Sequence, residues 1–133
     1  MKKTFVDTSL LIAVARGERD VSEKALDIID DSEREFVSSV YVQLETLPIP
    51  TRHGYEDQVK VYEEIFDNVS QWVPSSPELS QRAFELGCEY GLGAVDALHV
   101  AAAEKAEAEL VTAENPTKPM LQVASITATS IRA

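Results

Sequence analysis

Five short apolar runs, each too brief for a helix, alternate along this chain with segments whose apolar residues recur at helical spacing. Lys3 to Asp7 reads as a buried strand ending in an acid, and Ser9 to Val14 as a helical turn or two stopped near Gly17. Asp20 opens a second helix with Glu23 three residues on, close to a capping box, and Val21, Ala25, Ile28 and Ile29 keep its spacing. Glu35 to Ser38 is a second strand. Ser38 or Ser39 then caps a short helix from Tyr41 to Thr46, which Pro48 and Pro50 end. A loop from Leu47 to Gly54 leads to an amphipathic helix marked by Tyr55, Val59, Tyr62, Ile65 and Val69. Gln71 to Val73 is a third strand. Ser76-Pro77 starts a helix whose inner face is Leu79, Ala83, Leu86 and Tyr90, and Gly91 and Gly93 end it. A further helix runs to about Ala106, and Glu109 to Thr112 and Ile126 to Ile131 are the last strands.

Strands alternating with helices call for a parallel sheet covered by helices on both faces, an α/β architecture in three layers. In such sheets, sites form beyond the carboxyl ends of the strands. Two acids fall there: Asp7, after Phe5-Val6, and Glu114, after Leu110-Val-Thr112.

The totals narrow the class. With 133 residues and no linker, repeat or low-complexity tract, the chain reads as one domain over 1–133, able to bury its core without disulfides. Its lone cysteine, Cys88, excludes an internal disulfide or a multi-cysteine zinc site and is expected to pack as a small hydrophobe. No apolar run nears the twenty or so residues of a membrane span. MKKTFVDTS meets an acid by position 7, unlike a signal peptide, so a cytoplasmic protein without a membrane partner is expected. A formal charge of −11 argues against non-specific polyanion binding, although metal ions and a local basic patch can offset it.

GAVDALHVAAA, from Gly93 to Ala103, has the composition of a buried helix yet carries Asp96 and, one turn on, His99. A carboxylate near a core needs a partner. Taken alone, Asp96 and Asp7 each have an ordinary reading as helix caps, Glu45 as a solvated helix residue and Glu114 as a surface loop acid. Taken together, each sits at an element end or on an apolar helix face, and a shared pocket explains all of them. His99 can share a helix face with Asp96. It is expected to be a packed core histidine, with a contact to an acid or a phosphate as the alternative. His53 is expected at the surface.

FVDTSLL, the Glu of YVQLET, GAVDALHVAAA and LVTAEN occur in the order and approximate spacing of the PIN-domain ribonucleases, and the chain most resembles their small VapC-like toxins of toxin–antitoxin pairs. The resemblance covers nearly the whole chain. It implies a PIN-like α/β/α sandwich with a central, mostly parallel sheet and an acidic pocket for Mg²⁺ or Mn²⁺. Carried over position by position, Asp7 and Asp96 are the direct metal carboxylates and Glu45 the acid of the second motif. Glu114 matches the fourth-motif acid, where Asp is more usual. Thr8 and Ser9 match the hydroxyls after the first Asp, with Ser9 nearer the pocket, and Thr112 the Thr before the last acid. Asn115 is a candidate neutral oxygen, since the further acid many relatives carry nearby is missing.

The implied activity is endonucleolytic hydrolysis of RNA to a 5′-phosphate and a 3′-hydroxyl, with an antitoxin protein as partner and a homodimer as the usual assembly. The chemistry agrees with the residue types. Hard divalent cations prefer oxygen ligands, and clustered acids stay ionised together only beside a cation. Arg16, Arg19, Arg52 and Lys118 are the cations expected at the pocket rim. A haloacid-dehalogenase-like phosphatase also begins with a strand and an Asp but needs a second Asp where this chain has Ser9. A catalytically impaired PIN-fold interaction or RNA-binding module is the remaining alternative.

Overall fold

A computed structural model describes residues 1–17 and 19–132, with Arg19 described by its backbone alone. Five strands form one sheet: β1 (Lys2–Val6), β2 (Arg34–Ser39), β3 (Val69–Val73), β4 (Glu109–Thr112) and β5 (Ala128–Ser130). Their order is β3-β2-β1-β4-β5, and every pairing is parallel. The expected sheet is therefore present, and it is parallel throughout.

The helices are α1 (Thr8–Arg16), α2 (Arg19–Ile29), α3 (Val40–Thr46), α4 (Pro48–His53), α5 (Glu56–Asp67), α6 (Pro77–Tyr90) and α7 (Ala94–Ala106), with a 3₁₀ turn at Pro119–Gln122. From β1 to β2 to β3 the chain steps one way along the sheet, and from β3 to β4 to β5 it steps back. Parallel crossovers are right-handed, so the reversal places α1 to α5 on one face and α6 and α7 on the other. The direction changes between β1 and β4. Asp7 and Glu114 emerge beyond the carboxyl ends of these two strands, the place where sites form in such sheets.

α7 packs across the middle of the sheet and carries α6 on its outer side. Val100, Ala101, Ala102, Ala103 and Ala106 are buried, and the short alanines let the helix sit between two layers. Phe5, Leu110 and Val111 supply the sheet floor, with Leu10 and Leu11 of α1 against its other face. Each such large side chain contributes about 1.5–3 kcal/mol on burial.

Three local expectations need correction. The segment 47–54 is not a loop: Pro48 and Pro50 begin α4 rather than only ending α3. Both occupy its first turn, where the N–H that proline lacks has no helical partner, and Gly54 closes it at φ 70°. Asp20 lies inside the first turn of α2 and does not start it. Cys88 is exposed on α6 rather than packed. Ser39 is the N-cap residue of α3, but its buried hydroxyl makes no cap bond. Ser76 does cap α6, accepting from the Leu79 N–H at 3.0 Å. Among the described residues no helix is long and apolar enough to cross a membrane.

Candidate active site

Asp7 occupies the N-cap position of α1, and its carbonyl accepts from the N–H groups of Leu10 and Leu11. Its side chain makes no cap bond. Oδ2 instead accepts from Ser9 Oγ at 2.8 Å and from Thr112 Oγ1 at 2.7 Å. Two hydroxyl protons on one oxygen fix the carboxylate and leave Oδ1 as the less engaged atom. Asp7 is 3% exposed, so these neutral donors are what make its burial tolerable. The Asp7 N–H donates to Val111, which ties the first turn after β1 to β4.

Glu45 comes to the same end of the sheet from α3, where it meets Thr8 and His99. Its Oε1 lies 2.7 Å from His99 Nε2 and accepts from Thr8 Oγ1 at 2.7 Å. A carboxylate only accepts, so Nε2 carries the proton of that contact. The hydrogen bond from His99 holds the Glu45 carboxyl below its ordinary value. Partial burial opposes this, and the Thr8 hydroxyl assists it. His99 is fully buried, its ring 5.6 Å from that of Phe5, and Nε2 also lies 3.9 Å from Asp7 Oδ1. The packed histidine and the acid-bound histidine, read from sequence as alternatives, are one residue. His53 is at the surface, stacked on Tyr55.

Asp96 is not the cap of α7. Gly93 holds that position, and Asp96 sits in the first turn, half-buried, where the helix dipole favours an anion. Burial pushes its carboxyl above the ordinary value, with Asp7 the next cause; Glu114 and Glu45 add to the rise and His99 offsets part of it. The other three acids thus act electrostatically on Asp96. Glu114 follows β4 and is partly exposed, 3.8 Å from Lys118. Its N–H donates to Thr112 Oγ1, and the Ala113 N–H donates to Ser9 Oγ, both at 3.0 Å. Asn115 Oδ1 accepts from the N–H and hydroxyl of Thr117, which commits it to its own turn rather than to the pocket.

Of the expected rim cations, Lys118 is at the site beside Glu114, and Arg52 is exposed in the last turn of α4. Arg16 is exposed at the end of α1, near enough to Tyr62 of α5 to act on its hydroxyl. The Arg19 side chain lies outside the described residues. One cation was missed: Arg132 donates through Nε to the carbonyl of Ala113. The alternation in residues 126–131 signalled a strand but not that it would lie against β4.

The donor set suits a hard divalent cation: all carboxylate and hydroxyl oxygen, with burial and then like charge raising Asp96. It is not a closed cage. Among the described residues no three His, Cys, Asp or Glu side chains converge closely enough to hold an ion unaided.

In sequence, no curated protein matches the chain. In structure it is similar to VapBC2 from Rickettsia felis bound to a promoter DNA fragment, with 16% identity and a TM-score of 0.72 over 95% of this chain and 96% of that one. A toxin–antitoxin complex from Klebsiella pneumoniae gives 20% identity and a TM-score of 0.74 over 93% and 95%. VapC20 from Mycobacterium tuberculosis, a toxin that cleaves the sarcin–ricin loop, gives 20% and 0.69 over 90% and 94%. At these identities the likeness is one of fold. The sequence pattern goes further, because the model of the PIN domain matches residues 4–116, from inside β1 through the loop that carries Glu114. The span includes Asp7, Glu45, Asp96 and Glu114, and the chain belongs to the PIN-domain family.

Proposed function

We propose that this chain, as a single domain over 1–133, is a metal-dependent endoribonuclease that hydrolyses RNA phosphodiester bonds. Asp7 and Asp96 are its direct metal carboxylates, and Glu45 and Glu114 complete the acidic pocket. The observation that carries this reading is the setting of Asp96: burial first, then Asp7, with Glu114 and Glu45 adding less, raise its carboxyl. Such an arrangement is costly without a cation and useful with one.

A bound Mg²⁺ or Mn²⁺ would supply charge neutralisation at the scissile phosphate and a more acidic water. The chain's own residues prepare the place. Ser9 and Thr112 occupy Asp7 Oδ2 and so present Oδ1. Thr8 and His99 both bind Glu45 Oε1, which orients the carboxylate and leaves Oε2 able to accept a proton from a water at the site. Lys118 is the cation beside Glu114 that a phosphate can meet.

The fold likeness to proteins from toxin–antitoxin complexes supports the further reading that the chain is a toxin held by a cognate antitoxin; a cytoplasmic homodimer is the form proposed for it. A mixed RNA pool tests the activity. Cleavage is expected with Mg²⁺ or Mn²⁺ and none with EDTA, and Asp7→Asn and Asp96→Asn should each lose more activity than Glu114→Gln. Equal cleavage by wild type and Asp96→Asn overturns the assignment. A second reading, an impaired PIN-fold interaction or RNA-binding module, draws on the lack of a preformed three-residue ion cage among the described residues. RNA binding without metal-dependent cleavage would favour it.

A further inference from the structure

β5 and the residues after it do more than close the sheet edge. Thr112 pairs with Ser130 in the β4–β5 register, and the Ile131 N–H donates to the Thr112 carbonyl at 2.9 Å. Ser130 Oγ donates to the Glu114 carbonyl at 2.5 Å, and the Arg132 N–H donates back to Ser130 Oγ at 3.1 Å. Arg132 Nε donates to the Ala113 carbonyl. The segment 130–132 therefore grips the carbonyl side of the three residues 112–114.

The N–H groups of that same short stretch point the other way in function. Ala113 donates to Ser9 Oγ, and Glu114 donates to Thr112 Oγ1. Those two hydroxyls are the donors to Asp7 Oδ2. Two parallel relays result. One runs from Arg132 through the Ala113 residue and Ser9 to Asp7; the other runs from Ser130 through Glu114 and Thr112 to the same oxygen.

We propose that Ser130 and Arg132 are positioning residues of the carboxylate site, clamping the 112–114 backbone so that Ser9 and Thr112 hold Asp7 Oδ2 and leave Oδ1 to a cation. The inference rests on the reading of Asp7 as a metal ligand, and groups that orient metal ligands commonly govern affinity as strongly as some ligands do. Arg132 reaches the Ala113 carbonyl through Nε. A glutamine places Nε2 at the same point along the side chain as the Nε of arginine.

The test combines two readouts on the full chain: amide hydrogen exchange at Ala113 and Glu114 without metal, and Mn²⁺ affinity by titration calorimetry. Ser130→Ala, Arg132→Ala and Arg132→Gln are compared with Thr129→Ala, which removes a hydroxyl from the same strand that binds Glu109 and not the site. Ser130→Ala and Arg132→Ala should speed exchange at Ala113 and Glu114 and weaken Mn²⁺ binding by about tenfold. Thr129→Ala should do neither, and Arg132→Gln should stay near wild type. Unchanged exchange and Mn²⁺ affinity in Ser130→Ala and Arg132→Ala overturn the proposal, as does an Arg132→Gln protein no better than Arg132→Ala. Faster exchange in a protein whose wild type takes up no Mn²⁺ would instead remove the metal reading while keeping the backbone clamp.

Discussion

The hydroxyl of Thr112 donates to Oδ2 of Asp7 at 2.7 Å, joining the carboxyl ends of the two central strands β4 and β1. Both residues are buried, so the bond cannot be replaced readily by water. Thr112→Val keeps the shape and removes the donor. It should cost about 1–3 kcal/mol in urea unfolding, because the buried Asp7 Oδ2 loses one of its two donors and the Glu114 N–H loses its acceptor. Mn²⁺ affinity should fall about 10- to 100-fold, while Thr112→Ser stays near wild type. Mn²⁺ titration of the valine protein giving the wild-type constant would show that this bond does not orient Asp7.

Glu45 and Asp96 predict opposite dependences on pH in metal-free protein. The His99 hydrogen bond lowers the folded-state value of Glu45, so its stabilisation is present above the ordinary carboxylate value of 4.5 and is lost as pH falls through the lowered one. Asp96 is raised by burial and by Asp7, so the folded state favours its protonated form, and that advantage is lost as pH rises through the raised value. Unfolding curves across acid pH should therefore show wild type losing its margin over Glu45→Gln on acidification. The margin of Asp96→Asn over wild type should also shrink on acidification, because protonated Asp96 no longer repels Asp7. Parallel curves for all three proteins would contradict the charge arrangement described here.

If RNA is the substrate, a chain of net charge −11 should meet its phosphates through few cations. Cleavage should fall steeply with added salt. Lys118→Ala, which removes the cation beside Glu114, should weaken RNA binding and reduce the slope of log affinity against log salt by about 1. Arg52→Ala should act in the same direction without altering Mn²⁺ binding. Salt titrations that superimpose for both variants and wild type would exclude them from the substrate path.

Most of the fold was legible because each strand is a short apolar run between punctuating residues, and each long helix keeps its apolar period. α4 was not, since two prolines two residues apart read as breakers when the same residues can fill a helix's first turn. Cys88 misled because composition predicts burial for a free cysteine, while its position on α6 is set by Leu79, Ala83 and Leu86 facing inward. The four acids could be picked out from their places at element ends, but the hydroxyl and histidine partners that orient them depend on which strands are neighbours. Nothing local in Ser130 or Arg132 announces that β5 lies beside β4.

The cap at the start of α6 gives an internal control for stability without function. Ser76→Ala removes its bond to the Leu79 N–H and should cost about 1 kcal/mol. Thermal unfolding should register that loss, and cleavage at a temperature where the variant remains folded should not change. An activity loss comparable to that of Asp96→Asn would mean that activity in this chain reports folding rather than the carboxylates.

If Asp96 belongs to a carboxylate cluster built for a divalent cation, the melting temperatures of wild type and Asp96→Asn, each with EDTA and with excess Mg²⁺, should respond differently to the metal. Asn relieves like-charge repulsion in the metal-free protein, so the variant should melt higher in EDTA by an amount worth about 1 kcal/mol. A ligand bound only by the folded state at a hundredfold excess over its dissociation constant stabilises it by roughly 2.7 kcal/mol, and the variant should lose most of that increment. The order of the two melting temperatures should reverse between EDTA and Mg²⁺. Equal Mg²⁺-induced shifts in the two proteins would show that Asp96 is no part of a cation site.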